Sequence, residues 1–586
     1  MWRKRTLGWL IITMFGFLLL GIRLMQIQLF TTESFSKHQI NLIEGSVKQR
    51  SQEFVVDNGR GVFLDRNGKM LNGKKVFVLV LFPFLKNTDW DREKVAQLSG
   101  IPRTLLEDAV NEAKKPFIFG QNKPFTLSEM QMKHINALNI PGVFVIVKRQ
   151  ERSDVAAQQL LGLTGENQKE LQKRYPGKAR SGQTLIGISG LEQSFDEFLL
   201  PEGKAKLVYH VDGNGAPLFG LNVRYADPAN PYFPVNIRTT IDKAIQEQAE
   251  ALLDANNVQK GGIILLDIKS NTIIALASRP KINQKAPYQG IGMTNVMVKQ
   301  QIIGSVFKTV VAAAAIDGNL DAPERRFDCS KKINGEPDET YRYGMLNFTD
   351  SFSKSCNNTF GQLAKELTKY NPDVLKQYAA KLSLTGPVGW QGSVFHSSDF
   401  KQLSDEETGR IFLTAEDQQD ANNVAMTGIG QHEVRAAPLA VANMMAAIAR
   451  GGQAKMVRAV SKIEYKNGAT MFQFQEKELP GASISPYTAM KLQKLLRSVV
   501  IHPQGTGRTF RTLPYEVAGK SGTAETGKFQ DGKQLHNKWF AGYFPYHDPK
   551  YALVTVNLDV YDQEGGVNAL FADMVQMLYD FDHRQD

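Results

Sequence analysis

Two lysines and three serines of this sequence stand where their spacing could do chemistry. Ser305 and Lys308, in "GSVFKTVVAAAA", lie three residues apart at the start of an alanine-rich run that predicts a helix. That spacing puts both side chains on one helix face, where a lysine amine can take the proton of a serine hydroxyl and make it a nucleophile. Backbone N–H groups at a helix start also favour developing negative charge. About fifty residues on, "SFSKSCNNTF" sets Ser355 two before Asn357, a hydroxyl and an amide on one short turn. Near the end, "AGKSGTAETG" carries Lys520, Ser521, Gly522 and Thr523.

The last stretch has a rival reading, because Gly519-Lys520-Ser521 is how a phosphate-binding loop ends. Such a loop needs a glycine five residues earlier so that backbone N–H groups can wrap the phosphates. Pro514 stands there, with no N–H to give. The alternative joins three signatures in order, Ser-x-x-Lys, Ser-x-Asn and Lys-Ser-Gly, which together describe a serine acyl-transfer site. Alone, the first is weak: Ser34, Ser278, Ser351 and Ser398 also precede a lysine by three. Only Ser305 combines a preceding glycine, an uninterrupted helix pattern after it and the later partners in sequence.

These residues need elements to hold them. "YEVAGKSGTAET", "NKWFAGYFPY" and "YALVTVNLDVY" read as three successive strands, closed by the periodic "GVNALFADMVQMLYDFDHR" as a helix. Far upstream, "TTIDKAIQEQAEALLDAN" is a helix with Ile241, Ile245, Ala249 and Leu252 on one face. "GGIILLDIKSNTIIALASRP" then reads as a hairpin turning at Lys269 to Asn271. The two strand groups are expected to meet as one antiparallel sheet with helices on both faces, around a helical middle insert that includes "PLAVANMMAAIARGG". The prolines at 228, 231 and 234 mark a linker before this domain, set at 235–586. From 31 to 230 the chain mixes short β-like and helical patterns, and forms an elongated α+β pedestal with no evident nucleophile.

The first thirty residues add a membrane. Arg3, Lys4 and Arg5 precede an apolar run from Leu7 that resumes after Arg23 and reaches Phe30. About twenty such residues cross a ~30 Å hydrocarbon layer. No small-x-small cleavage site closes the run, so it predicts an anchor over 7–30 rather than a removed signal. The basic residues ahead of it place 1–6 in the cytoplasm and the bulk of the chain outside.

Composition narrows the classes further. In 586 residues only Cys329 and Cys356 are cysteines, which suits an exported protein without a disulfide framework; of the two states the pair allows, unpaired thiols are favoured. No Cys/His spacing suits zinc, and "QHEVR" has no second histidine. The net charge of +11 is spread along the chain without a basic stripe, which argues against nucleic acid.

With these motifs in hand the chain resembles the class B penicillin-binding proteins, membrane-anchored D,D-transpeptidases of peptidoglycan, and a Gram-positive source is expected. "RGVFLDRNGKML", "GISGLEQSFDEFL", "TGIGQHEVRAAPLAVANMMAAIARGG" and "NKWFAGYFP" are similar to family stretches in family order, so the resemblance covers nearly the whole length. It departs in having Val306 where threonine is common, Ser521 for the commoner threonine, and Cys356 in a variable slot.

The resemblance implies an α+β fold with a serine β-lactamase-like transpeptidase domain, and no cofactor or metal. It makes Ser305 the nucleophile toward a D-alanyl-D-alanine stem peptide, Lys308 the general base and Ser355 the proton relay. Asn357 would hold the substrate amide, and Lys520 would keep the cleft positive. Ser521 and Thr523 would bind the terminal carboxylate, and Gly522 would let the substrate approach the strand. Backbone N–H groups of Ser305 and Thr523 would form the oxyanion hole. Stem peptides, β-lactams and a membrane glycan polymerase are the implied partners. Gln431 fits either the cleft floor or loop packing, and stays outside the site.

The same acylation could end in hydrolysis, as in a D,D-carboxypeptidase or β-lactamase, or the fold could serve as a β-lactam-binding sensor or scaffold. The anchor and pedestal favour cross-linking, and the short segment ahead of the anchor leaves no room for a cytoplasmic signalling module.

Overall fold

The computed structural model describes every residue except 1, 34–40, 43–44, 46–50, 121–123, 151–154, 177–183, 211–223, 227–229, 284, 340 and 585–586. Pro228, one of the linker prolines, is outside the described residues. The apolar start forms one long helix, α1 (Trp2–Met25), continued by a π-helical turn at Gln26–Phe30. The stretch Arg5–Phe30, 26 residues, is long and apolar enough to cross a membrane, and its side chains are unburied in the protein. It is a candidate anchor.

After the helix the chain divides into two compact units. The smaller holds residues up to Arg60, then Lys75–Gln150 and Pro201–Pro231. Strand Lys74–Leu81 pairs with Phe117–Ile118, Thr126–Leu127 and Val143–Gln150, while Ser51–Asp57, Ala205–His210 and Arg224–Ala226 form an antiparallel ribbon. Within "KKVFVLVLF" the run 76–82 is apolar at every position because both of its faces are covered, while Lys74 and Lys75 are exposed. Leu79 and Leu81 pack under the helices Arg92–Ser99, Arg103–Glu112 and Glu129–Ala137, and Val78 and Val80 pack with Phe82 and Tyr209.

The larger unit contains the three motifs. Helix α2 (Lys243–Ala255) leads into the hairpin β1 (Gly261–Asp267) and β2 (Thr272–Arg279). The C-terminal strands β3 (Ala518–Gln530), β4 (Lys533–Phe544) and β5 (Tyr551–Tyr561) complete an antiparallel sheet in the order β2-β1-β5-β4-β3. The two strand groups therefore meet as the pattern predicts, through β1 on β5. Alternation sets the layers: Ile263 and Leu265 face α2 and the closing helix α7 (Asn568–His583), while Ile264 and Leu266 face the other core. That second core is built on α3 (Lys308–Asp317), α4 (Asn357–Tyr370), α5 (Pro438–Ala449) and α6 (Pro486–Ile501). Helix α3 is buried from Lys308 to Ile316, so its alanines serve close packing on all sides.

Gly61–Lys74 and Glu151–Leu200, which the sequence groups with 31–230, pack with the larger unit. The reason is long-range pairing. Val62–Leu64 runs parallel to Asn236–Thr239, which pairs antiparallel with Val460–Glu464. Phe63, Leu160, Leu191, Phe195 and Leu199 join the main core, each 1 % exposed or less. Asp65 folds the turn that follows, its Oδ1 accepting the N–H groups of Asn67 (2.9 Å) and Lys69 (2.7 Å).

Candidate active site

Ser305 sits in a single 3₁₀ turn, Gly304–Phe307, from which α3 starts at Lys308. The turn lies against β3, and Gly522 makes that approach possible: a Cβ there would stand 2.7 Å from Ile303 O and 2.9 Å from Val306 Cγ2. Ser305, Ser355, Asn357, Thr506, Ser521 and Thr523 share one cleft of about 330 Å³. A larger depression of about 760 Å³, between α2 and α7, contains none of the motif residues.

Both lysines lie fully buried beneath this cleft. Lys308 Nζ donates to Ser355 O (2.7 Å), Ser355 Oγ (3.0 Å) and Asn357 Oδ1 (2.6 Å). Lys520 Nζ donates to the same Ser355 Oγ (3.0 Å) and to Ser521 O (3.2 Å). Phe360 lies 5.7 Å from the Lys308 Nζ, and Phe352 lies 5.8 Å from that of Lys520. Among the described residues no carboxylate pairs with either lysine, and no hydrogen bond engages the Ser305 hydroxyl.

Two cations around one hydroxyl with no anion beside them cannot both stay charged. Burial lowers Lys520 to about 7. Burial, reinforced by the Lys520 charge, holds Lys308 well below the ordinary lysine range. The three acceptors around Lys308 suit an ammonium, but desolvation opposes it, and the pair as a whole holds fewer than two protons near neutrality. A neutral buried amine beside an unengaged serine is what general-base activation of a nucleophile requires.

Ser355 is held in a left-handed backbone conformation, with φ of +61°. A non-glycine residue keeps that geometry only when its surroundings fix it. Three contacts do so: the Lys308 bond to its carbonyl, the Cys356 N–H donated to Ser351 O (2.8 Å), and a disulfide from Cys356 to Cys329 with Cα atoms 5.8 Å apart. The disulfide corrects the expectation of unpaired thiols. Cys329 lies 27 residues upstream and comes close only because the strand pair Phe327–Asp328 and Met345–Leu346 folds back beside α4.

Along β3, Ser521 Oγ donates to Thr506 Oγ1 (2.8 Å), and Thr523 is exposed at the cleft. All eight residues expected from the sequence are thus close together. Two neighbours were not among them. Thr506 comes from the turn "QGTGR" after α6, whose glycines mark a bend without revealing where it points. Gln431, left open by the sequence, lines the cleft beside Ser305.

Comparison with known proteins identifies the family. Residues 261–575 match the penicillin-binding protein transpeptidase domain, and 56–229 match the penicillin-binding protein dimerisation domain. The chain belongs to the penicillin-binding protein transpeptidase family. The pairing of the two domains makes it a class B member, a penicillin-binding transpeptidase enzyme whose transpeptidase domain lies within the larger unit. It is 24% identical over 573 residues to the peptidoglycan D,D-transpeptidase MrdA of Haemophilus influenzae, covering 89% of this chain and 84% of that one. It is 25% identical over 590 residues to the stage V sporulation protein D of Bacillus subtilis, covering 93% and 80%. In fold it is similar to a chain of a peptidoglycan synthase complex, with a TM-score of 0.64 and 22% identity over 98% of this chain and 97% of that one. It is also similar to penicillin-binding protein 2X of Streptococcus thermophilus, with a TM-score of 0.65 and 18% identity over 91% and 80%.

Proposed function

We propose that the protein cross-links peptidoglycan by D,D-transpeptidation. The observation that carries this is the convergence of Lys308 and Lys520 on Ser355 Oγ, each at 3.0 Å, beside Ser305 on the free edge of β3. Neutral Lys308 takes the Ser305 proton as Ser305 Oγ attacks the carbonyl between two terminal D-alanines. The backbone N–H groups of Ser305 and Thr523 hold the oxyanion, each worth roughly 3 kcal/mol. Ser355, in contact with both amines, passes a proton to the leaving D-alanine nitrogen, and the ester remains on Ser305. Asn357 holds the donor's side-chain amide, while Ser521, Thr523 and the Lys520 charge receive its terminal carboxylate. An acceptor amine from a second stem peptide then attacks the ester carbonyl, the new amide bond forms as the bond to Ser305 Oγ breaks, and the proton lost by the amine passes through Lys308 back to Ser305 Oγ. A β-lactam follows the same first step and stops there.

The anchor α1 keeps the site at the membrane, with 1–6 cytoplasmic and the catalytic unit outside. A buried disulfide suits that oxidising side. The fold shared with a chain of a peptidoglycan synthase complex supports a membrane glycan polymerase as the partner that supplies strands.

The test is covalent labelling by a fluorescent penicillin, with mass spectrometry of the labelled peptide. Wild-type protein labels at Ser305 and Ser305→Ala does not; retained labelling of the variant refutes the nucleophile. Incubation with lipid-linked peptidoglycan strands and a polymerase then separates the outcomes. Dimeric stem peptides support transpeptidation, release of D-alanine with monomers alone means hydrolysis, and labelling without either product means a sensor or scaffold.

A further inference from the structure

β3 is the edge strand of its sheet, so among the described residues one side of its backbone has no strand partner. Open edges of this kind bind extended peptides by strand addition. At the height of the nucleophile this edge is already occupied. Gln431 Nε2 donates to Thr523 O (3.3 Å), and Gln431 Oε1 accepts the N–H of Glu525 (3.1 Å). The carboxamide thus presents the strand with one donor and one acceptor, which is what two successive peptide groups of an incoming strand would present there. The assignment of its oxygen and nitrogen is forced, because one partner is a carbonyl and the other an N–H.

The backbone under this side chain is fixed against the nucleophile's own turn. Gly304 N donates to Gly430 O (3.0 Å), and Gly430 is at φ +77° with no room for a Cβ, which would stand 1.8 Å from Gly304 O. Gln431 N is bonded in turn to Met426 O (3.0 Å). The Gln431 side chain, in contrast to this bonded backbone, ends in the cleft that Ser305 lines.

We propose that Gln431 is a positioning residue that occupies the donor's place on β3 in the free protein and yields it when the donor binds. The inference rests on the donor reading given above. A carbonyl seated on the Thr523 N–H belongs to an acyl residue whose own N–H points at Thr523 O, the atom Gln431 now holds, because residues opposed in a hydrogen-bonded antiparallel pair exchange both bonds. Donor binding therefore exchanges the Gln431 amide for the donor's backbone. The exchange keeps the edge geometry ready for a strand, and it makes each donor compete with an internal one.

The experiment uses the full chain and two thioester donors, an N-acyl-D-alanyl thioester and its D-lactyl counterpart, in which an ester oxygen replaces the backbone N–H. Gln431→Met keeps the side-chain volume without the amide, Gln431→Ala removes both, and thermal melting checks that each is folded. In both variants KM for the alanyl donor falls about three- to tenfold, the range of one to two net hydrogen bonds. The change is carried by KM rather than kcat, and selectivity for alanyl over lactyl donor rises with it. An unchanged or higher KM, a loss confined to kcat, or an equal gain for both donors overturns the proposal. Failure of the wild-type protein to form any Ser305 acyl-enzyme overturns the donor reading itself, and this proposal with it.

Discussion

Gly522→Ala isolates a single contact between β3 and the nucleophile's turn. Gly522 has no left-handed backbone, so alanine brings no torsional strain and only a methyl group is added. That methyl would lie 2.7 Å from Ile303 O, 2.9 Å from Val306 Cγ2 and 3.1 Å from Trp539 Cβ, where ordinary contact begins at 3.4 Å. Relief of the closest contact needs the difference between 3.4 and 2.7 Å, about 0.7 Å, between the strand and the turn that carries Ser305. Overpacking of this kind costs about 1–3 kcal/mol in stability. Its effect on chemistry is larger, because the Ser305 and Thr523 N–H groups proposed as oxyanion donors belong to the turn and the strand that the added methyl would separate. A misplacement of about 1 Å costs on the order of a hundredfold, so acylation is expected to fall about ten- to a hundredfold. Stopped-flow labelling with a fluorescent penicillin measures this, and a thermal melt separates it from unfolding. A folded variant that acylates within about twofold of wild type refutes the claim that this contact sets the site.

Three further outcomes follow from the same geometry. Lys520, lowered to about 7 by burial, loses its charge as pH rises through that value, while burial and the Lys520 charge hold Lys308 well below the ordinary lysine range. Acylation by a carboxylate-bearing donor or β-lactam should therefore decline on the alkaline side of about 7, and Lys520→Met should remove that decline along with most of the rate; a flat profile from pH 6 to 9 in the wild type would contradict it. Opening the disulfide by Cys329→Ser removes a cross-link spanning 27 residues, worth about 3–4 kcal/mol by loop-closure entropy. Urea unfolding should register that loss, and slower penicillin labelling should accompany it because Ser355, next to Cys356, loses a support for its left-handed backbone. Ser521→Ala and Thr506→Val each weaken donor binding, and their double-mutant cycle should show a coupling of about 0.5–1 kcal/mol from the 2.8 Å hydroxyl pair; additivity would mean the two hydroxyls act independently.

Much of the site was legible because its logic is local. Ser305 and Lys308 announce themselves by a spacing of three before an alanine run, and Gly522 by its place among hydroxyls on a strand pattern. The hairpin and the three late strands were readable from alternation, and their union followed from the need to cover apolar faces. Thr506 and Gln431 were less legible: both lie on turns, and a turn's sequence gives its bend but not what it faces. The membership of Gly61–Lys74 and Glu151–Leu200 was hidden for a related reason. Each is held by Asn236–Thr239 or by the main core, segments too far along the chain for any periodicity to reveal.

By itself, then, the sequence determined the order of the three motifs, the long apolar N-terminal helix and the strands and helices that carry the site, since these depend on periodicity, length and residue type. Only the tertiary structure decided where the buried amines point. Lys308 has a four-carbon stem long enough to reach several acceptors, and it is drawn to Ser355 and Asn357, which arrive from the turn before α4 and from its first residue, leaving the Ser305 hydroxyl unengaged. The tertiary structure also joined Cys329 to Cys356 and set Gln431 on the edge of β3, because contacts between distant segments are chosen by the packing of the whole core.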